Sequence, residues 1–275
     1  GRPPSAQNVN ERVLYPETRG ILTPGSRLLG GDYRNWFHSF QLVVNKRFSS
    51  GFSVLGSYVL SKNLDTLLSV APGNTPGVPN PLDLTSLRGR ANLDQRHVVS
   101  VSWMWTPPVR LTNRLASRLL GGWTLTGFHG IQSGTPLNFT MGTDIALDGT
   151  GGSGRQLAQL APGATLDTIR AEHTSRSDFI ARFFNPDAFV PVAALPRGIY
   201  GNAGRNILSG PANVTTDAAI LKDFALREPL KLQIRGELFN AFNQVNFNDP
   251  NTSRSAGGFG RILGAGSGRT IQIAA

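Results

Sequence analysis

The sequence predicts an all-β chain folded as an antiparallel up-and-down sheet, on three observations. Seven segments alternate apolar and polar residues with period two, the signature of strands whose side chains point to opposite faces. The connections between them alternate in length, and aromatic residues gather at the strand ends beside the short ones.

In chain order, Trp36–Phe48 sets Phe40, Leu42, Val44 and Phe48 against Ser39, Gln41, Asn45 and Arg47. Phe52–Ser61 sets Phe52, Val54, Tyr58 and Leu60 against Ser53, Ser57 and Ser61. His97–Trp105 opposes Val99, Val101, Trp103 and Trp105 to Ser100 and Ser102. Gly122–Gln132 opposes Trp123, Leu125 and Ile131 to Thr124, Thr126 and Gln132. In Asn213–Phe224, Asp217 and Asp223 share one face, with Val214, Ala218, Ile220 and Phe224 on the other. The sixth segment, Pro229–Asn243, is the clearest: Leu230, Leu232, Ile234 and Leu238 alternate with Lys231, Gln233, Arg235 and Glu237. The seventh, Gly268–Ala275, is short.

Segments one and two join through Ser49–Gly51, three and four through Thr106–Gly121, five and six through Ala225–Pro229. Between these pairs lie the long loops Lys62–Arg96, Ser133–Ala212 and Gln244–Ser267. Compact soluble domains rarely carry such loops, whereas bacterial outer-membrane barrels pair short periplasmic turns with long extracellular loops. Phe48, Phe52, Trp105, Trp123 and Phe224 then lie at one height as an interfacial girdle, with Trp36, Phe139, Phe239 and Phe242 near the opposite rim. The expected fold is an antiparallel up-and-down transmembrane β-barrel fragment. It is an open curved sheet of about seven strands with long extracellular loops, since an odd number cannot close antiparallel without a parallel seam. The rival is a soluble β-sandwich binding module with the same greasy faces turned inward.

Composition narrows the classes. The 275 residues contain no apolar run long enough for a membrane-spanning helix, which leaves barrel strands open. Charged residues are only 16%, low for a water-facing surface. Cysteine is absent, which excludes disulfides and thiolate chemistry. The net charge of +10 is spread over scattered arginines with no basic helix or base-stacking motif, so nucleic acid is not an expected partner. The N-terminus has no apolar signal-peptide core and no initiating Met, and reads as a piece of a longer protein or a processed product.

Ordered motifs carry a resemblance. Asn185-Pro-Asp-Ala-Phe189, Tyr200-Gly-Asn-Ala-Gly-Arg-Asn206 and Ser209-Gly-Pro211 resemble a loop of TonB-dependent outer-membrane receptors of the Oar-like branch. Leu221-Lys-Asp-Phe224, Leu232-Gln-Ile-Arg-Gly-Glu-Leu-Phe-Asn240, Asn246-Phe247 and Phe259-Gly-Arg-Ile262 resemble that family's C-terminal strands. Ser57–Lys62, Asp94–His97, Leu120–Trp123 and Ser133–Pro136 extend the likeness over nearly the whole chain. The resemblance implies a bacterial outer-membrane protein with a large barrel around a plug, energised by the TonB system. Residues 1–275 would be the C-terminal portion of that barrel, with no plug domain. Its role would be uptake or surface binding of an unidentified ligand; the alternative is a structural or adhesive barrel without active transport. The family's usual terminal aromatic residue is missing from Ile271–Ala275.

No segment argues for catalysis. Gly149–Gly154 fits G-x-G-x-x-G but lacks the strand–turn–helix setting of a dinucleotide site and reads as a loop. Asp144 and Asp148 lack EF-hand spacing for calcium, and His38, His97, His129 and His173 have no chelating spacing. No cofactor or metal is therefore expected. Asp94, Arg96 and His97 are expected to brace a loop base, ahead of acid–base work. Asp217, Asp223, Lys231, Arg235 and Glu237 are expected to face the lumen, because unpaired charge in lipid is costly, and Asp223 is expected to pair with Lys231. Lys222 breaks the apolar parity close to a turn and is expected to snorkel. A short helix is expected near Asp178–Phe184. Arg155, Arg170, Arg176 and Arg182 are expected to engage anionic lipopolysaccharide or an acidic ligand, and membrane lipid is a further expected partner.

Overall fold

The structure is a computed structural model that describes residues 34–66, 87–109, 112–147, 156–227 and 230–275. Ten strands occur among them: β1 (Asn35–Ser49), β2 (Phe52–Asp65), β3 (Gly89–Arg90), β4 (His97–Trp105), β5 (Trp123–Gln132), β6 (Pro136–Leu137), β7 (Leu208–Ser209), β8 (Asn213–Arg227), β9 (Leu230–Phe239) and β10 (Thr270–Ala274). Three short helices, α1 (Arg114–Leu120), α2 (Leu166–Ile169) and α3 (Arg176–Ala181), lie in the connections. The long strands form one sheet in the order β1-β2-β4-β5-β8-β9-β10, with β3 added to the end of β2; β6 and β7 pair separately. All pairings of the large sheet are antiparallel and follow chain order, so the topology is up-and-down. The sheet is open, with β1 and β10 at its edges.

Turn chemistry sets the short-connection rim. Ser50 and Gly51 both have positive φ, as a two-residue type I′ hairpin requires, and join β1 to β2. Between β4 and β5 the chain forms α1 instead of a bare turn, with Asn113 Oδ1 accepting from the Ala116 N–H at 3.1 Å. Leu119 and Leu120 of α1 remain exposed, and the Trp123 indole N–H donates to the Leu119 carbonyl at 3.0 Å.

Register carries the apolar parity across the whole sheet. One row runs Val54, Trp103, Gly127, Ala218, Leu238 and Ile271; the next runs Phe52, Trp105, Leu125, Ile220, Gly236 and Ile273. Partners opposite each other share a face, so every greasy parity lies on the same side. The other side carries Ser53, Thr126, Glu237 and Gln272 in one row and Ser102 and Asp217 in the next. Glycines on the apolar face lie under cross-strand neighbours: a Cβ at Gly127 would lie 2.5 Å from the Trp103 ring.

Among the described residues no second layer covers the sheet. Phe40, Leu42 and Val44 on the apolar face of β1 are 58%, 50% and 56% exposed. A sandwich would have buried them, so the soluble alternative fails on geometry. The dry core sits in the long loops, where Phe139, Phe184 and Phe189 are fully buried together with Leu137, Leu157 and Ile169. Their rings meet edge-on or stacked at 4.7–5.8 Å between centroids. Phe139 thus belongs to this loop core and not to an outer girdle, because its segment turns inward where Thr140 bridges Leu157 and Ser253.

Candidate functional site

The five charges expected in the lumen share the polar face. Asp217 Oδ1 accepts from the Asn240 N–H at 2.8 Å and holds the turn after β9. Asp223 accepts from Gln233 Nε2 at 2.8 Å. The expected Asp223–Lys231 pair does not form. Gln233 stands opposite Asp223 and Lys231 opposite Ala225, beside a register shift between Ala225 and Arg227. Arg235 and Glu237 form an ion pair at 3.3 Å along β9, at positions two apart on one face. Ser102, Thr126, Phe128, Asp217, Glu237 and Phe239 border a shallow groove of about 260 Å³ on this face.

Several polar side chains on the apolar face are paired or held at the short-connection rim. Lys222 is buried: Nζ donates to the Gly121 carbonyl and lies over the Trp123 and Phe224 rings at 5.5 and 5.2 Å. Lys46 donates to Ser49 Oγ at 2.9 Å and to the Phe52 carbonyl at 3.1 Å, 5.4 Å above the Phe52 ring. The Lys46 ammonium bends to the short-connection rim, the snorkelling geometry of a membrane interface, whereas Lys222 does not snorkel as expected, its ammonium being buried against the Gly121 carbonyl. His129 Nδ1 and Thr216 Oγ1 hydrogen-bond each other across β5 and β8 at 2.6 Å, so neither polar atom faces lipid unpaired.

Asp94, Arg96 and His97 lie in one stretch but do not converge. Asp94 is buried, pairs with Arg90 Nε at 2.8 Å and accepts from the Asn63 N–H at 2.7 Å. Arg96 exchanges backbone contacts with Ser61, whose N–H donates to the Arg96 carbonyl at 3.0 Å. His97 turns to the apolar face, where Nδ1 meets the Tyr58 hydroxyl at 2.9 Å. The arrangement ties a loop to β2 and assembles no acid–base pair.

The loop motifs act as ties. Gly201 lies so close to the Leu157 and Ala158 carbonyls that a side chain there would collide. Asn202 Oδ1 accepts from the Leu160 N–H at 2.8 Å. Arg205 is fully buried and pairs with Asp65 at the end of β2 at 2.8 Å. Asn206, in the left-handed region, donates to the Arg90 carbonyl and to Asn92 Oδ1 at 2.7 Å each. Asn185 Nδ2 donates to the Thr168 carbonyl at 3.0 Å and starts the turn that buries Ala188 and Phe189. Asn246 accepts from the Val214 N–H at 2.8 Å and donates to its carbonyl at 2.9 Å, imitating a strand partner. Together these residues bind the three long loops into one cap over the rim.

The Arg205–Asp65 pair was invisible in the sequence as a site, being 140 positions apart; the Tyr200–Asn206 motif was its one signal. Helix α3, Arg176–Ala181, starts two positions before the expected turn, with Ser175 as its N-cap. Arg170 pairs loosely with Asp167 at 3.4 Å, and Arg176 lies over the Phe247 ring at 5.3 Å. Asp144 Oδ1 accepts from Gln156 Nε2 at 2.8 Å. Gly149–Gly154, Asp148 and Arg155 lie outside the described residues. Among the described residues no three His, Asp or Glu side chains cluster as a metal would need, and no helix is long and apolar enough to cross a membrane.

No curated protein and no solved structure matches the chain. A family model for an outer membrane beta barrel domain matches residues 2–272. That match agrees with an open up-and-down wall whose exposed greasy face lies between two rims. The chain belongs to the outer membrane beta barrel domain family and resides in the outer membrane.

Proposed function

We propose that this wall is part of a TonB-dependent, Oar-like receptor that takes up or binds a ligand at the cell surface. The observation that carries the reading is the ordered set of motifs from Ser57–Lys62 to Phe259–Ile262. Several of them are the ties of the loop cap, so they are residues the receptor architecture would need. In this reading the polar face, with Asp217, Asp223, Lys231, Arg235 and Glu237, looks towards a plug supplied by a longer protein. The role is binding and transport, not catalysis. The test is the complete reading frame and its contact with TonB. A plug with a TonB-contacting segment is expected upstream, and the intact protein should crosslink to TonB in energised cells. A frame without a plug, or no crosslink, contradicts the proposal.

A second reading, a structural or adhesive barrel, draws on the loop core. Phe139, Phe184, Phe189 and Phe259 pack the described loop segments around one apolar core. Deleting the gene separates the two. Loss of a solute's uptake supports the receptor; loss of surface attachment alone supports the adhesive barrel.

A further inference from the structure

A cavity of about 360 Å³ opens in the loop cap between β3, β7 and the segment 170–183. Sites that hold small molecules start at about 300 Å³. Three rings border it. Phe179 and Phe183 meet edge-on at 5.1 Å between centroids, and the His173 ring stands edge-on to Phe179 at 5.0 Å. Ile207 and Leu208 add aliphatic surface. Two guanidinium groups reach the same cavity. Arg90 pairs with Asp94 through Nε at 2.8 Å and donates from Nη1 to Ser209 Oγ at 3.0 Å, so its fork is fixed. Arg170 is held by a backbone bridge to Phe184, while its side chain is 64% exposed. Its contact with Asp167 is long, at 3.4 Å, and that carboxylate is 91% exposed; an ion pair so open to water restrains a guanidinium weakly.

Charge and shape together select the ligand class. Among the described residues no carboxylate lines the cavity. Asp94 offsets Arg90, so the charge left for a ligand is chiefly that of Arg170. A single positive charge suits a monoanion. A carboxylate matches it and takes two parallel hydrogen bonds from one guanidinium, whereas a phosphate monoester brings a charge of about −1.5 to −2. Edge-on rings favour a flat π-system, which they meet in offset or T-shaped contact.

We propose that this cavity binds a small aromatic carboxylate, with the carboxylate on Arg170 beside the fixed fork of Arg90 and the ring against Phe179 and Phe183. The assignment deepens the receptor reading, on which its sense as a captured solute rests, by giving the ligand a chemical class. It is separate from the charged groove on the sheet, which lies on other residues.

The test titrates the full chain in detergent micelles by calorimetry, against a blank of empty micelles. The probes are naphthoate, the uncharged naphthamide, the fully saturated decalin carboxylate and naphthyl phosphate. Naphthoate should bind about tenfold more tightly than the amide, as a charge-assisted hydrogen bond implies. It should bind about threefold more tightly than the saturated ring. Arg170→Ala should lose about tenfold for naphthoate and leave the amide unchanged. Arg47→Ala, near the short-connection end of β1, should alter neither. Equal binding of amide and carboxylate to the unaltered chain would overturn the proposal, as would equal binding of the saturated ring. Tighter binding of the phosphate would overturn it in favour of a dianion. Unchanged naphthoate affinity in Arg170→Ala would place the anion elsewhere and also overturn it. Arg170 is exposed, so its removal strands no buried charge, and the comparison of probes on the unaltered chain needs no variant at all. The titration needs neither TonB nor energised cells. Naphthoate binding by a protein without a plug would keep the site and sink the receptor reading; a TonB crosslink without naphthoate binding would do the reverse.

Discussion

Arg205 and Asp65 join two loops and a strand end through one buried ion pair at 2.8 Å. Removing one partner leaves the other charged in a dry site, which costs about 3–5 kcal/mol. Arg205→Met should therefore loosen the cap, seen as faster hydrogen exchange in residues 200–212 with the strands unchanged. Adding Asp65→Leu should recover part of the loss, since a paired replacement strands no charge. Phe184, fully buried in the loop core, tests the same cap without charge. Phe184→Ala should cost about 3–5 kcal/mol, read as a lowered cap melting temperature. Loss of both loop and strand signals together would show that the cap has no separate stability.

Among elements, β8 and β9 were the most legible, because period-two alternation survives any register that keeps parity. The partner of each residue was less legible. A bulge near Ala225 moves Lys231 opposite Ala225 and leaves Gln233 facing Asp223, and no alternation encodes such a shift. Helix α1 and the loop core were not legible, since Leu137, Phe184 and Phe259 meet only through long chain separations. The expected girdle survives at the short-turn rim, where Phe52 stands opposite Trp105 and Trp123 opposite Lys222. It fails for Phe139, whose apolar ring serves the cap equally well. Close fit of strands is open to test at Gly127, which Trp103 covers. Gly127→Val should displace the Trp103 ring and destabilise the sheet by about 1–3 kcal/mol, with changed tryptophan emission. Unaltered emission would mean that the ring does not lie there.

The long described strands form one open layer, with the charged side chains of β8 and β9 on one face and the continuous apolar rows on the other, joined to a separate loop core. Among the described strands β1 and β10 are the edges and have one partner each, so the chain alone should associate in water and become dispersed in detergent. Monodisperse monomer without detergent, in sedimentation, would argue against this layer. The loop cap gives the layer an up and a down. The chain contains no cysteine, so single cysteines carrying nitroxide labels report one site each. The most direct measurement labels positions 231 to 238 one at a time in reconstituted bilayers and compares collision with oxygen and with a water-soluble nickel chelate. Positions 232, 234 and 238 should collide with oxygen, and 231, 233, 235 and 237 with the chelate. Protection of the even positions from both reagents would place them in a protein interior and contradict the account.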